Sequence, residues 1–292
     1  MRKFIAPVVL LVAGAAICFA ADPNKLATFQ CYTDSDICSR LMLGPISPGH
    51  IECSQTTFKQ GAQPALVRLT DNLVFETNKP KMLKEYVGKF VEATGEPKEK
   101  DGRIKLESVK GLAGPPTIPP GAPGHELLDA RNFRVSGDRA KTYEKVRHEL
   151  AMMPYISEFD FISFTMVGDD VILTGWTVRI TNRSTAYNIV KNIEAVNKVT
   201  NNIEVLPMGS FDMRIRADAR ARLQRLLSRY FWGSGSDIKI VVKNGNIILL
   251  GRVASQGDVD IAGIQCNAVP NAFHVFNLLK VAPSEQQKKQ GG

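Results

Sequence analysis

Two stretches of this chain repeat one pattern of apolar and polar positions. Each has an apolar run, a short polar interruption and a second apolar run, as in "FTMVGDDVILTGWTV" and "IVVKNGNIILLGRV". The pattern predicts two β-hairpins, with strands at 161–167 and 170–178 and at 238–243 and 246–253. Asn244–Gly245 is typical of a type I′ turn, because both central residues tolerate positive φ. The "GDD" of the first hairpin is a weaker turn signal.

The similarity extends well beyond the hairpins. Gly175 and Gly251 are 76 positions apart, and the same offset pairs Leu150 with Leu226 and Val205 with Val281 without a gap. An ungapped offset over this length indicates a tandem repeat. We interpret the two glycines as structural residues at a bulge or a close backbone approach, since neither repeat has a glycine-rich phosphate loop.

Each repeat is predicted to be a small α+β unit. A helix begins near Lys141 or Ala217, and the hairpin follows it. A second helix spans about 184–195 or 256–268, and a last strand ends each copy, at "VTNNIEVL" and "HVFNLLKV". Two amphipathic helices bury their apolar faces by covering one face of a three-stranded sheet.

The second repeat resembles the BON domain, named for osmotically inducible periplasmic and nodulation proteins. The likeness is carried by "IKIVVKNGNIILLGRVAS", the helix after it and "VFNLLKV" with its counterpart "VTNNIEV". The first copy departs from the pattern with Asp169 and Asp170 in the turn and Trp176 after the glycine, and follows by internal similarity. The resemblance covers about residues 136–283. It implies an envelope protein of Gram-negative bacteria that binds membranes or other envelope partners and has no enzymatic activity.

The N-terminal part of the chain has a different pattern. Short alternating strands flank "KMLKEYVGK", which we expect to be a helical insert, and "GKFVEATGE" and "GRIKLESV" follow. This order resembles small OB-like barrels of exported bacterial proteins, over about Thr28 to Lys110. Such barrels often bind oligosaccharides or oligonucleotides, but the fold alone assigns no ligand.

These patterns divide the chain into six segments. The first has a charged start, an apolar middle and a small residue at Ala20, which is typical of a secretory signal peptide. A Pro/Gly-rich run, "GLAGPPTIPPGAPG", indicates a semi-rigid linker, and the polar end of the chain is expected to be disordered. The predicted segments are a signal peptide (1–20), an OB-like module (26–110), the linker (111–135), two BON domains (136–207 and 208–283) and a tail (284–292).

The charge of the chain favours anionic partners. Cleavage of the leader removes Arg2 and Lys3 and lowers the formal charge from +8 to +6. A basic exported protein favours lipid head groups or acidic glycans. Nucleic acid is not an expected partner, because an exported protein seldom meets it.

Four cysteines remain after cleavage, and export permits disulfides. Cys31, Cys38 and Cys53 lie close together in the sequence, and we expect Cys53 to pair with Cys38 or with Cys31. A zinc site from these three cysteines and His50 is the less favoured alternative, because the spacing matches no standard pattern. Cys266 is expected to be a small buried hydrophobe, with a bridge to the N-terminal module as the other option.

The first helix of the second repeat carries a row of arginines. In "RIRADARARLQRLLSRYFW", helical spacing groups four arginines beside a core stripe of Ile215, Ala219, Leu223, Leu226 and Tyr230. If the helix continues to its end, the tryptophan projects the same way. Guanidinium groups bind phosphates and indoles settle at the head-group boundary, so this face suits an anionic membrane. The predicted lipid-binding residues are Arg214, Arg222, Arg225, Arg229 and Trp232. The alternative is a solvated helix face, with Phe231 and Trp232 packed inward.

The sequence therefore predicts a non-enzymatic periplasmic protein that binds anionic phospholipid surfaces or other envelope components. A chaperone-like stress protein, or a glycan-binding protein or enzyme acting through the barrel, are the alternatives. No histidine has the spacing of a metal site or a nucleophile–base pair, and we expect no cofactor, metal or catalytic residue. Unpaired strands at the sheet edges are a route to self-association.

Overall fold

The computed structural model of the protein describes residues 26–41, 48–118, 135–232 and 236–282. The predicted signal peptide and tail, and most of the predicted linker, lie outside these residues. Within the described ranges, no helix has the length and apolar character that crossing a bilayer requires.

The N-terminal module is a closed barrel of five strands in the order β1-β2-β3-β5-β4. The strands are β1 Ala27–Ser35, β2 Pro64–Arg68, β3 Val74–Thr77, β4 Phe90–Lys98 and β5 Arg103–Gly111. Its buried side chains include Leu66, Phe75, Val91 and Leu106. The OB-like barrel predicted from the sequence is confirmed, and the expected helical insert takes the form of a 3-10 helix at Pro80–Tyr86.

Two short helices after β1 carry the disulfide, and the sequence patterns did not predict them. They are α1, Cys38–Leu41, and α2, Pro48–Lys59. A bond between Cys38 and Cys53 joins them, with the two Cα atoms 6.1 Å apart. Cys31 is free and buried on β1, so the alternative pairing of Cys31 with Cys53 is wrong. The proposed bridge from Cys266 is also wrong, since its thiol is free and buried.

The two repeats have the same order of elements. The first consists of α3 Asp138–Ala151, β6 Phe161–Val167, β7 Asp170–Thr177, α4 Ile180–Lys191, β8 Val199–Asn201 and β9 Glu204–Val205. The second consists of α5 Ser210–Leu226, β10 Ile238–Lys243, β11 Asn246–Val253, α6 Gln256–Asn267, β12 His274–Asn277 and β13 Lys280–Val281. Both first helices begin earlier than the predicted Lys141 and Ala217.

Each repeat is a two-layer unit. The hairpin strands are antiparallel, and the last strand is split into two short pieces that pair parallel with the middle strand. The helices cover one face of each sheet. In the second repeat Ile215 and Leu223 of α5 pack against Ile240 and Leu249 of the sheet.

The other face of each sheet is buried as well, which the sequence analysis did not anticipate. Trp176 of the first repeat shares one apolar cluster with Val241, Ile248 and Phe276 of the second, and Ile37 of the N-terminal module joins them. The two sheets therefore contact each other on the faces that lack helices. Strands buried on both faces have nearly continuous apolar sequences, and "IVV" and "IILL" in the second hairpin follow that rule.

A group of four charged side chains joins the three modules. Lys243 at the end of β10 contacts Glu76 of the barrel and lies 2.9 Å from Glu204 of the first repeat. Arg40 of the N-terminal module forms an ion pair with the same Glu204, with its Nε 2.8 Å from the carboxylate. Alternating charges with little solvent exposure fix the orientation of the modules more than they add net stability.

Candidate docking surface on the second repeat

Helix α5 presents three faces, of which one enters the core. Ile215, Ala219 and Leu223 are buried there, as predicted. Leu226, predicted as a core residue, is 56% exposed, and Leu227 is buried in its place. Leu226 is the last residue of α5, and the chain turns after it into a short 3-10 helix at Ser228–Phe231 in which Tyr230 is buried, as predicted.

Three of the four predicted arginines lie on a second face of α5. Arg214 and Arg225 are exposed and Arg222 is half-buried. In the described part of the chain, none of the three has a carboxylate within ion-pair distance, whereas many other surface cations do. Their charges are therefore available to an external anion.

Arg229 has a different environment. It lies on the 3-10 helix and donates to the Asp258 carboxylate at 2.6 Å. The same carboxylate accepts hydrogen bonds from Ser255 and Tyr230 at the start of α6. These hydrogen bonds lower the pKa of Asp258, with the largest effect from Ser255 and smaller effects from Tyr230 and Arg229. Arg229 thus supports the beginning of a helix, and the structure separates it from the other three arginines.

Trp232 follows the 3-10 helix and is 78% exposed. Phe231, beside it, packs partly against the core of the second repeat. Trp232 was expected to share the helix face only if the helix continued to that residue, but α5 ends six residues before it. The alternative of two inward aromatic side chains is also wrong for Trp232. A large exposed indole next to a basic helix is a feature of surfaces that contact lipid head groups or protein partners.

The sequence analysis missed an apolar part of this surface. Helices α5 and α6 pack side by side, and α6 exposes Ile261 and Ile264, the latter at 65%. With the 76-residue offset, the first repeat has Thr185 and Asn188 at these places. Two isoleucines exposed where the sister repeat is polar are the signal that could have found this surface in the sequence.

The arginine positions differ between the repeats in the same direction. Arg214 corresponds to Asp138, Arg225 to Glu149 and Arg222 to the buried Val146. Both repeats fold alike, so these differences are not required by the fold. We define the docking surface by its members: Arg214, Arg222, Arg225, Leu226, Trp232, Ile261 and Ile264.

The barrel contains a buried cluster of Asp34, His50 and Ser54. These are the residue types of a hydrolytic triad, but their hydrogen bonds differ from those of a triad. Asp34 accepts from His50 Nε2 at 2.7 Å and also from the Ser54 hydroxyl. In a nucleophilic triad the serine donates to the imidazole, whereas here it donates to the carboxylate. All three side chains are buried. Among the described residues, no group of three or more histidine, cysteine or acidic side chains could hold a metal ion.

The free thiols have environments that suppress reactivity. Burial raises the pKa of Cys31 to about 12, against the lowering effect of Arg68. Burial likewise raises the pKa of Cys266 to about 12. Since the thiolate is the reactive form, neither cysteine has the properties of a nucleophile.

The duplicated fold, in which two helices cover one face of a small sheet, defines a class of small α+β modules. The family model for the BON domain matches residues 138–207 and 215–283, so both repeats are BON domains. The resemblance seen in the sequence is confirmed. BON domains are not catalytic, and with an intramolecular disulfide they are consistent with an envelope-associated, non-enzymatic protein.

The other comparisons add little. No curated protein matches the chain. Two solved structures of CdsD, a structural protein of the type III secretion system of Chlamydia trachomatis, match with 10% and 9% identity and TM-scores of 0.23 and 0.21. They cover 51% and 48% of this chain and 96% of their own.

Proposed function

We propose that this protein is a periplasmic adaptor that binds anionic phospholipid surfaces through the docking surface of its second BON domain. The leader predicted at residues 1–20 would export it and be removed. The barrel and the first BON domain would hold the second domain in place. The observation that carries the proposal is the exposed Trp232 after α5, together with three arginines on α5 that have no carboxylate partner among the described residues.

The composition of the surface matches a lipid interface. Arg214, Arg222 and Arg225 provide positive charge, while Leu226 and Ile264 provide apolar area that water solvates poorly. Helices that lie in the plane of a membrane combine these two properties. Because the residues come from two adjacent helices and the turn after α5, the folded domain presents them together without a conformational change.

The expected strength follows from the charges. Each basic side chain near an anionic leaflet contributes on the order of 1 kcal/mol. Three arginines therefore support reversible binding, and the indole and aliphatic side chains add to it. Binding should weaken as salt is added, because ions screen exposed charges over about 8 Å at physiological ionic strength.

Flotation with vesicles tests this function. The full mature chain should float with vesicles that contain phosphatidylglycerol and not with phosphatidylcholine vesicles. The double substitution Arg222→Glu, Arg225→Glu removes two attractions to the anionic surface and adds two repulsions. The binding free energy should weaken by about 4 kcal/mol, which is roughly a thousandfold in affinity. Arg229→Glu is left out, because it would place a carboxylate against Asp258 and damage the fold.

The matched control carries the same change of net charge on the first repeat. It combines Lys145→Glu with Arg147→Glu. Both residues are exposed on α3, where ion pairs contribute little to stability. This variant should float as well as the wild type. Ile264→Asn, which copies the first repeat, should weaken flotation even at high salt. Equal loss of flotation in both double variants would show a nonspecific charge effect and refute the proposed surface.

A further inference from the structure

A cleft of about 360 Å³ lies on the side of α5 that faces the first repeat. Phe159 and Val178 of the first repeat form one wall, and Met213 and Ala217 of α5 form the other, with Met208 between the repeats. Almost all of its lining is apolar. Its size is at the lower end of sites that take small organic ligands, about 300–1,000 Å³.

Arg216 lines this cleft and is only 4% exposed. Its Nη2 donates to the carbonyl oxygen of Val242 at 2.8 Å and, more weakly, to that of Pro207 at 3.3 Å. Nε is buried with no hydrogen-bond partner among the described residues. Carbonyl oxygens accept hydrogen bonds from the guanidinium but do not neutralise its charge.

No carboxylate in the described part of the chain forms an ion pair with Arg216. The two nearby acids, Asp212 and Asp160, are used elsewhere: Asp212 accepts from the backbone N–H groups of Asn244 and Gly245, and Asp160 accepts from Thr177 and Val178. Burial lowers the pKa of Arg216 despite these two carboxylates.

The other buried arginine of the described residues is paired: Arg68 lies 2.7 Å from Glu99. The half-buried Arg40 likewise lies 2.8 Å from Glu204. The first repeat has Ala140 at the position of Arg216, so the BON fold does not require a cation there. A buried charge without a partner costs several kcal/mol, which makes Arg216 a candidate for an external counter-ion.

We propose that this cleft binds a single-chain amphiphile of the fatty-acid class, with its carboxylate at Arg216 and its alkyl chain on the apolar walls. The apolar lining favours an apolar ligand body, and the buried guanidinium, which has no ion-pair partner among the described residues, favours an anionic head. The other cation of the cleft, Arg220, already pairs with Glu158. Arg216 is therefore the cation of the cleft that has no ion-pair partner among the described residues, and a carboxylate brings one negative charge to it, whereas a phosphate monoester brings about −1.5 to −2.

The cleft is separate from the docking surface proposed above. At about 100° per residue, Met213, Ala217 and Arg220 lie on one flank of α5, and Arg222 and Arg225 lie on the opposite flank. The amphiphile site therefore does not depend on membrane docking, and each can fail without the other.

Calorimetric titration of the full mature chain with dodecanoate, below its micellar concentration, tests the proposal. Dodecanoate should bind at a single saturable site at least about tenfold more tightly than dodecanol, which has the same chain without the charge. Ala217→Phe fills the cleft from an exposed helix position and leaves Arg216 in place, so it should lower the affinity by about tenfold or more. Ala151→Phe, on the first repeat, is the matched control and should bind as the wild type does. Arg216→Gln should bind dodecanoate and dodecanol alike.

Three results would overturn the site: equal affinity for dodecanoate and dodecanol in the wild type, unchanged affinity in Ala217→Phe, or tighter binding of dodecyl phosphate than of dodecanoate. The vesicle assay separates this inference from the proposed function. Ala217→Phe should still float with phosphatidylglycerol vesicles, and the Arg222→Glu, Arg225→Glu variant should still bind dodecanoate. Loss of both activities in either variant would refute the separation of the two sites.

Discussion

Replacing Gly251 by alanine should lower the free energy of unfolding of the second repeat far more than a surface substitution does. Gly251 has φ of +120° in β11 and lies opposite Ile238 of β10. A Cβ added there would collide with the backbone carbonyl of Asp237. This carbonyl is part of the main chain and cannot rotate away as a side chain can. The backbone conformation costs about 1–3 kcal/mol for a residue other than glycine. Displacing the neighbouring strand adds about 1–3 kcal/mol, so we expect a loss of roughly 2–6 kcal/mol.

Urea unfolding followed by circular dichroism measures this loss, with the disulfide kept intact. With a slope of about 2–3 kcal/mol/M, the midpoint of the second repeat should fall by about 1 M urea or more. Gly175→Ala should have a similar effect on the first repeat, because its Cβ would collide with the carbonyl of Phe161 in the same way. Gly257→Ala is the control: its Cβ meets only the Ser255 hydroxyl at 3.7 Å, and alanine in a helix is more stable than glycine by up to about 1 kcal/mol. If Gly251→Ala left the midpoint unchanged, the close strand approach would be refuted.

Three further results are expected from the N-terminal module and the free thiols. Burial raises the pKa of Asp36 to about 6, against the lowering effect of Lys243, so the stability that this group contributes is full at low pH and lost as pH rises through about 6. The free energy of unfolding of Asp36→Asn should therefore exceed that of the wild type by about 3 kcal/mol near pH 8 and by little near pH 4. An equal gain at both pH values would contradict the assignment. The Cys38–Cys53 bond closes a loop with a separation of 15 residues, so reduction should lower stability by about 3 kcal/mol, and a thermal midpoint unchanged by reductant would argue against it. Iodoacetamide should modify the buried thiols Cys31 and Cys266 only after denaturation, as mass spectrometry of native and unfolded protein would show.

The hydrophobic pattern predicted most of the fold because local rules determine it. The 76-residue offset places β7 on β11 and α4 on α6 residue for residue, and the asparagine–glycine turn between β10 and β11 has positive φ at both residues. Turn chemistry and the alternation of burial are properties of neighbouring residues, so a sequence displays them directly. The closed barrel and the BON repeats were therefore within reach of the sequence alone.

The parts that could not be predicted depend on contacts between distant segments. From the sequence, Arg216 is expected to be a surface residue of a helix. In the structure, the loop at Pro207 and the end of β10 cover it. Trp176 appears as an irregular residue after a glycine, yet it fills the contact between the two sheets. Leu226 is exposed at the last position of α5, and helix ends are the least predictable part of an element. Long-range packing decided each of these cases.

The two BON domains have unequal parts in the molecule, and the contacts between them explain why. Lys239 and Ile240 of β10 donate to the carbonyl oxygens of Ser157 and Glu158, so a loop of the first repeat covers the edge strand of the second. The N–H group of Ile240 is therefore used within the chain, which makes this edge a less open route to self-association. The same loop supplies Phe159 to the cleft beside α5. The first repeat thus covers part of the second, whose charged and apolar surface on α5 and α6 stays exposed. In the function that we propose, the first copy supports and the second copy binds.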